Sequence, residues 1–430
     1  MNIYSRTIVF PALACALVMV AAGTLQAQEP DQVTAADLEG AKPRFHAPPD
    51  TFKTNPRHAA GRNYATVQGL DSVQVFGGFY SVFGYDPNGF PKTNWSFNMV
   101  GNAPELGGTT NFRAPIVPVS LLMLNADGTP RSVNGQLLYY DATQFVSKVL
   151  DSPVFQDHEY SSSKTPTQFT DAVQRAEFWQ TVGHPPPANR GSWHTLLNAE
   201  VKTPRLMLLP KGFYRFALNK DGSCCEFVLV DANKFGELLF PATFPFDGST
   251  IIGAAELAGD ITTKDISSFL FPNTYLYLNG DVKDCCVLGF HGADTEPGIP
   301  SNGNLPRFYV LNYSSWISPG LFGDSFADVT ALSHELAETL NDPFGDNITP
   351  WWLAPNKNCQ DNLETGDVIE GLPNATFPIT VNGFTYHPQN EALLPWFEFQ
   401  ERSTAIDHAY SYPDTSVITA LSAVQLAGCK

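Results

Sequence analysis

Residues 328–343 of this chain, Asp-Val-Thr-Ala-Leu-Ser-His-Glu-Leu-Ala-Glu-Thr-Leu-Asn-Asp-Pro, leave little choice of local structure. On the 3.6-residue period of a helix, Val329, Leu332, Leu336 and Leu340 share one face, and His334, Glu335, Glu338 and Asp342 share the opposite one. Asp328 can cap the start, and Pro343 ends the run because it lacks an N–H and clashes with the preceding turn. The spacing predicts a helix of about four turns over residues 328–341, packed on one side and able to coordinate on the other.

The polar face spells HExxE. His334 and Glu338 stand at i and i+4, so an imidazole and a carboxylate can converge on one cation, as the two histidines of HExxH do in zinc hydrolases. Glu335 then lies beside the ion, placed to take a proton from metal-activated water attacking a carbonyl. The plain alternative is an amphipathic helix with a solvated acidic face. Zinc needs a third protein ligand if one position is to stay open. The metzincin pattern does not supply it, because the tenth residue after His334 is Phe344. Glu364 and Asp367, in Cys359-Gln360-Asp361-Asn362-Leu363-Glu364-Thr365-Gly366-Asp367, are the next candidates, since a chain leaving the helix can return there.

Charge adds a constraint. One imidazole and two carboxylates leave a zinc site formally neutral, which acidifies water less than a cationic site does. Such a site predicts a slow hydrolase, one tuned by outer hydrogen bonds, or a structural cation. Calcium competes for the hard oxygens of Glu338, Asp342, Glu364 and Asp367, whereas His334 favours zinc. His291 can hydrogen-bond a bound carbonyl or complete the metal shell, or be a buried structural histidine, and the same alternatives apply to His387. His158, His184 and His194 read as ordinary loop histidines.

Residues 1–27 read as a secretory signal, with Arg6, an apolar run over residues 8–20 and a Leu25-Gln26-Ala27 cleavage site. No later run is long and apolar enough to span a membrane, so a secreted or periplasmic protein is expected. Six cysteines remain in the mature chain, in a compartment that permits disulfides, and a bridge from the 285/286 pair to Cys359 is the favoured pairing. The formal charge of −18 argues against nucleic acid and anionic membranes as partners. A 43% hydrophobic content with thirty-one phenylalanines still allows a large core.

Residues 28–65 contain five prolines and no sustained apolar period, which reads as an extended arm or linker. Strands are expected at 73–80 and 116–124 and in a hairpin of 213–218 with 226–230 around Asp221-Gly222. Thr165-Pro166-Thr167 opens a second helix, whose Asp171, Arg175 and Glu177 read as solvated. Short apolar runs at 275–278, 287–290 and 309–311 lead as strands into the HExxE helix. Residues 66–430 are expected to form one large α+β domain of zincin-like, metallopeptidase type, with substrate along a sheet edge over the helix.

Ser-His-Glu-Leu-Ala-Glu followed by Asp-Pro, a tryptophan and Glu364-Thr365-Gly366-Asp367 resembles the secreted, phosphate-induced Exordium-like proteins and their bacterial relatives. An upstream Cys286-Val287-Leu288-Gly289-Phe290-His291 element is shared too, so the resemblance covers about residues 281–372. It implies an exported zincin-like protein with His334, Glu335 and Glu338 in the metal and base roles and Glu364 or Asp367 as third ligand. The chain departs from that pattern by its long N-terminal half and by Cys359 standing before the acidic segment. The reading is therefore an exported zinc-dependent hydrolase acting on peptide or a cell-wall polymer. Its rival is a non-catalytic cell-wall or carbohydrate-binding protein with a structural cation. The two differ in whether Glu335 does chemistry.

Overall fold

Long runs of β-branched and aromatic residues, which suit a pleated and buried surface, make most of the framework. The structure is a computed structural model and describes residues 31–41, 43–45, 68–183, 190–242, 245–323, 326–422 and 426–429. The expected signal segment, residues 46–65 of the arm and His184 lie outside the described residues.

A hairpin of β1 (Val75–Tyr85) and β2 (Pro91–Val100) comes first, then β3 (Thr109–Met123), helix α1 (Phe169–Glu177) and strands β4 (His194–Val201), β5 (Arg205–Leu209), β6 (Tyr214–Leu218) and β7 (Cys224–Asp231). Helices α2 (Ala232–Leu239) and α3 (Ile251–Ala258) precede β8 (Ile266–Pro272), β9 (Thr274–Tyr277), β10 (Cys285–Val287), β11 (Gly289–Glu296) and β12 (Arg307–Phe322). Helix α4 (Thr330–Asn341) and the pair β13 (Ile348–Leu353) and β14 (Cys359–Asn362) follow. The expected hairpin around Asp221-Gly222 is β6 paired antiparallel with β7.

The largest sheet has eight strands, ordered β11-β12-β8-β3 with β4 and β5 also on β3. Its inner pairings are parallel, while β11 lies antiparallel to β12 at the edge. A four-stranded sheet, β10-β9-β7-β6, stands beside it. Side chains alternate across a strand, so the large sheet has two packed faces. Val117, Val119, Leu121, Phe290 and Tyr313 meet Phe235, Leu239 and Ile252 of α2 and α3 on one face. Phe112, Ile116, Leu270 and Val310 meet Val329, Leu332, Leu336 and Leu340 on the other.

Two expectations about the fold are corrected. Among the described residues the chain is strand-rich and compatible with α+β, but its strands are divided over the eight-stranded sheet, the four-stranded sheet and five two-stranded sheets. The zincin-type domain, with a helix open beneath a sheet edge, is not what forms, because every residue of α4 is buried. The motif sets which side of the helix is polar, whereas distant segments decide whether that side stays open. Second, Asp171, Arg175 and Glu177 of α1 are not solvated but are at most 3% exposed. Asp171 accepts from Thr195 N at 2.7 Å and lies 2.8 Å from His194 Nδ1, and Arg175 donates to the carbonyls of Ser162 and Trp193.

The disulfides also differ from expectation. Cys224 bonds Cys225, Cys285 bonds Cys286, and Cys359 bonds Cys429, so no bridge joins the 285/286 pair to Cys359. The described part of the arm is docked rather than free. Val33 N donates to Phe216 O at 2.9 Å, Arg44 N to Cys286 O at 2.8 Å, and Leu288 N to Arg44 O at 2.7 Å. Among the described residues no helix is long and apolar enough to cross a membrane.

Candidate metal centre

The centre is built on the polar face of α4. The helix starts one turn-step later than the spacing suggests, with Val329 at the N-cap. Asp328 instead holds a neighbouring segment, accepting from the backbone of Val329 at 2.7 Å and of His387 at 2.8 Å. Its other oxygen lies 2.8 Å from His387 Nδ1, which makes His387 an anchor and takes it out of the ligand set. Asp342 closes the helix by accepting from the backbone of Asp346 at 2.9 Å and Asn347 at 3.1 Å, so it too is turned away.

His291 enters from β11, and Glu364 and Asp367 enter from the segment after β14. His334 Nε2 lies 3.0 Å from Glu338 Oε2 and 3.7 Å from Asp367 Oδ1. His291 Nδ1 lies 3.3 Å from the same Glu338 oxygen, 3.6 Å from Glu335 Oε2 and 3.7 Å from Glu364 Oε2. Both imidazoles thus face Glu338 Oε2, with Glu335 and Glu364 near His291 and Asp367 near His334. Two triplets meet the spacing that a metal needs, His291 with Glu335 and Glu338, and His334 with Glu338 and Asp367.

Backbone donors hold this arrangement in place. Glu338 Oε1 accepts from Gly366 N at 3.0 Å and Asp367 N at 3.3 Å, which leaves Oε2 to face both imidazoles. Gly366 is required at its position, because a Cβ there would stand 2.2 Å from His334 Nδ1. Gly289 of β11 is likewise tight, with a Cβ meeting Glu335 Oε1 at 2.3 Å. Gln389 Nε2 donates to Gly366 O at 2.7 Å, and Gln360 donates to Asp367 Oδ2. Phe45 of the arm covers His334, with ring centroids 4.3 Å apart.

The electrostatics do not close without a further group. His334, Glu335 and Asp367 are 0% exposed and Glu338 is 1% exposed. Neither ring nitrogen of His334 and neither carboxylate oxygen of Glu335 makes a hydrogen bond. Buried polar atoms are ordinarily paired, and an orphaned one costs about 1–3 kcal/mol. His334 Nε2 and Glu338 Oε2 are close but not aligned on each other, as donors are when they converge on a third point. Zinc bonds of about 2.0–2.2 Å put neighbouring tetrahedral donors roughly 3.3–3.6 Å apart, and the spacings above bracket that value. The residues present fit a divalent metal.

Burial would lower the two imidazoles, but the negative charge around them wins. Glu338 foremost lifts His334, and Glu364 foremost lifts His291, well above the ordinary histidine value. Burial pushes Glu335 up to about 7, against the pull of His291 and His334. Glu338 is driven the other way, since His334 and His291 outweigh its burial.

Glu391 was not foreseen. It is 0% exposed, accepts from Thr365 Oγ1 at 2.9 Å and adds negative charge near His334. No local spacing links it to the motif. His158 stacks edge-on against Tyr160, and His194 pairs with Asp171, so neither enters the centre. Comparison with protein families, characterised proteins and solved structures finds no match to this chain.

Proposed function

We propose that this chain is an exported zinc-binding protein that hydrolyses peptide or a cell-wall polymer with Glu335 as the proton acceptor. The observation that carries the metal reading is the convergence of two buried imidazoles on Glu338 Oε2, with both His334 nitrogens lacking a hydrogen bond. His334, Glu338 and Asp367 would hold the ion, and His291 with Glu335 adjoins them across the shared Glu338. Imidazole donors favour zinc over calcium. A bound divalent ion supplies Lewis acidity to a substrate carbonyl and makes water more acidic.

The chain's own residues account for the rest. Neither Glu335 oxygen has a hydrogen-bond partner, which leaves the carboxylate free to take and return a proton. Glu338, fixed by the backbone of Gly366 and Asp367, keeps the imidazoles in place.

A second reading, a non-catalytic protein with a structural ion, is favoured by one observation. The α4 ligands are sealed, and Phe45 lies over His334. Metal analysis and turnover of Glu335→Gln separate the readings. Catalysis requires zinc content to persist while turnover falls about 10²–10⁴-fold. Full activity on a hydrolysed substrate would sink the mechanism. No metal in the wild type, or the same metal content in His334→Ala/Glu338→Ala, would sink the metal centre itself.

A further inference from the structure

Strand β11 carries a second group of ionisable side chains on its other side. His291 points toward α4, whereas Asp294 and Glu296, two residues apart and therefore on one face, point away from it. Glu256 of α3 meets them there. One oxygen from each of the three carboxylates lies within 4.8 Å of the other two. Asp294 is 3% and Glu296 2% exposed, and Asp294 Oδ2, Glu296 Oε1 and Glu256 Oε1 have no hydrogen-bond partner. We propose that Glu256, Asp294 and Glu296 form a calcium site, separate from the centre on α4.

Three arguments identify the ion. The donors are all carboxylate oxygen with no imidazole or thiolate, which suits a hard cation and not zinc. Calcium–oxygen bonds of about 2.3–2.6 Å allow two ligand oxygens to stand up to about 4.6–5.2 Å apart, so three oxygens within 4.8 Å of one another can share one calcium. The charge then closes. Arg307 stands opposite Glu296 on β12, with Nε given to Pro297 O at 3.0 Å and Nη1 to Tyr309 OH at 2.9 Å. Three carboxylates and one guanidinium leave two negative charges, which one divalent cation neutralises.

Burial pushes all three carboxyls above their ordinary range, and the charge of Asp294 pushes Glu256 and Glu296 further. The cluster is therefore costly to ionise by itself. Glu256 is only partly buried, which leaves a way in from solvent.

The test is a calcium titration of the whole protein after calcium is removed by dialysis into calcium-free buffer, read by calorimetry and by Tm. The expected result is one bound calcium per chain and a Tm rise of about 2–5 °C at saturating calcium. In Asp294→Asn and Glu296→Gln the affinity should fall about 100-fold or more, with zinc content unchanged. Glu256→Gln, at the most exposed of the three positions, should show the same loss if the buried variants fail to fold. A wild type that takes up no calcium overturns the proposal, as does a calcium response that survives Glu256→Gln undiminished.

Discussion

The two sides of β11 carry the same problem with different solutions. On the α4 side, His291 meets Glu335 and Glu338, and His334 meets the same Glu338, so nitrogen and oxygen donors are mixed. On the α3 side, Asp294 and Glu296 meet Glu256, with oxygen donors alone. Burial alone does not distinguish them, since each side has one partly exposed carboxylate, Glu364 and Glu256, among otherwise buried side chains. Donor chemistry does, because imidazole selects transition metals and a carboxylate cage selects hard cations. The α4 side is also braced from outside, by the backbone of Gly366 and Asp367 and by the ring of Phe45. On the α3 side, Arg307 and Tyr309 stand near the carboxylates. One edge strand can thus serve two ions, provided each face recruits its remaining donors from a different helix.

Removing the arm's ring should disturb one face and spare the other. Phe45 is 1% exposed and packs on both His334 and Phe326. Phe45→Ala should cost about 3 kcal/mol of stability, the low end for a buried phenylalanine, because an arm can undock where a core cannot. Chelator-driven zinc loss, followed with a colorimetric zinc indicator, should accelerate, while the calcium response stays unchanged. An unaltered zinc release rate would show that the ring does not guard the α4 side.

A subtler change reaches the same face without touching a ligand. In Gly366→Ala the added methyl would collide with His334 Nδ1, and that imidazole is buried on every side. Displacing it should weaken zinc by about 10–100-fold, or about 1.4–2.7 kcal/mol, as disturbed outer support does at metal centres. Gly289→Ala meets the mobile end of Glu335 instead, so it should lower turnover more than zinc affinity. Competition titrations with a zinc chelator measure the first effect, and steady-state kinetics the second. Equal zinc losses in the two variants would mean that Glu335 is itself a ligand.

The α4 side was legible in the sequence because its information is local. The period of Leu332, Leu336 and Leu340 against His334, Glu335 and Glu338 needs only the helix itself. Glu364 and Asp367 could be named because the chain must return after Pro343. The α3 side was not legible. Asp-x-Glu at 294–296 marks a shared face of a strand, but nothing nearby points to Glu256, which arrives on a separate helix. The docking of the arm was hidden for another reason, since its backbone bonds at Val33 and Arg44 carry no side-chain signature and its ion pairs, Arg44 with Asp284 and Asp31 with Arg131, join residues far apart in sequence. The closed surroundings of α4, which displaced the zincin-type expectation, are of the same kind. Cysteine pairing is also a property of the fold, because six cysteines allow fifteen pairings and spacing cannot choose among them.

Glu177 supplies the control for both faces, because it is a buried carboxylate that belongs to neither group of candidate ligands. It is 2% exposed, its Oε1 accepts from Asn341 Nδ2 and Leu394 N at 3.3 Å each, and its Oε2 has no partner. Burial foremost, with Glu398 adding to it, holds the carboxyl well above the ordinary glutamate value. The folded value is raised, so this group favours folding fully below the unfolded value of about 4.3 and loses that contribution as pH rises toward the folded value. Glu177→Gln removes the titration and keeps an acceptor. Between pH 5 and pH 8, urea unfolding of the variant should therefore show a smaller stability loss than the wild type does. Neither zinc nor calcium should abolish that difference, because a carboxyl outside both ligand groups relieves its burial with a proton. If added metal did abolish it, buried carboxylates in this protein would recruit ions without a cluster, and the distinction between the two faces of β11 would lose its basis.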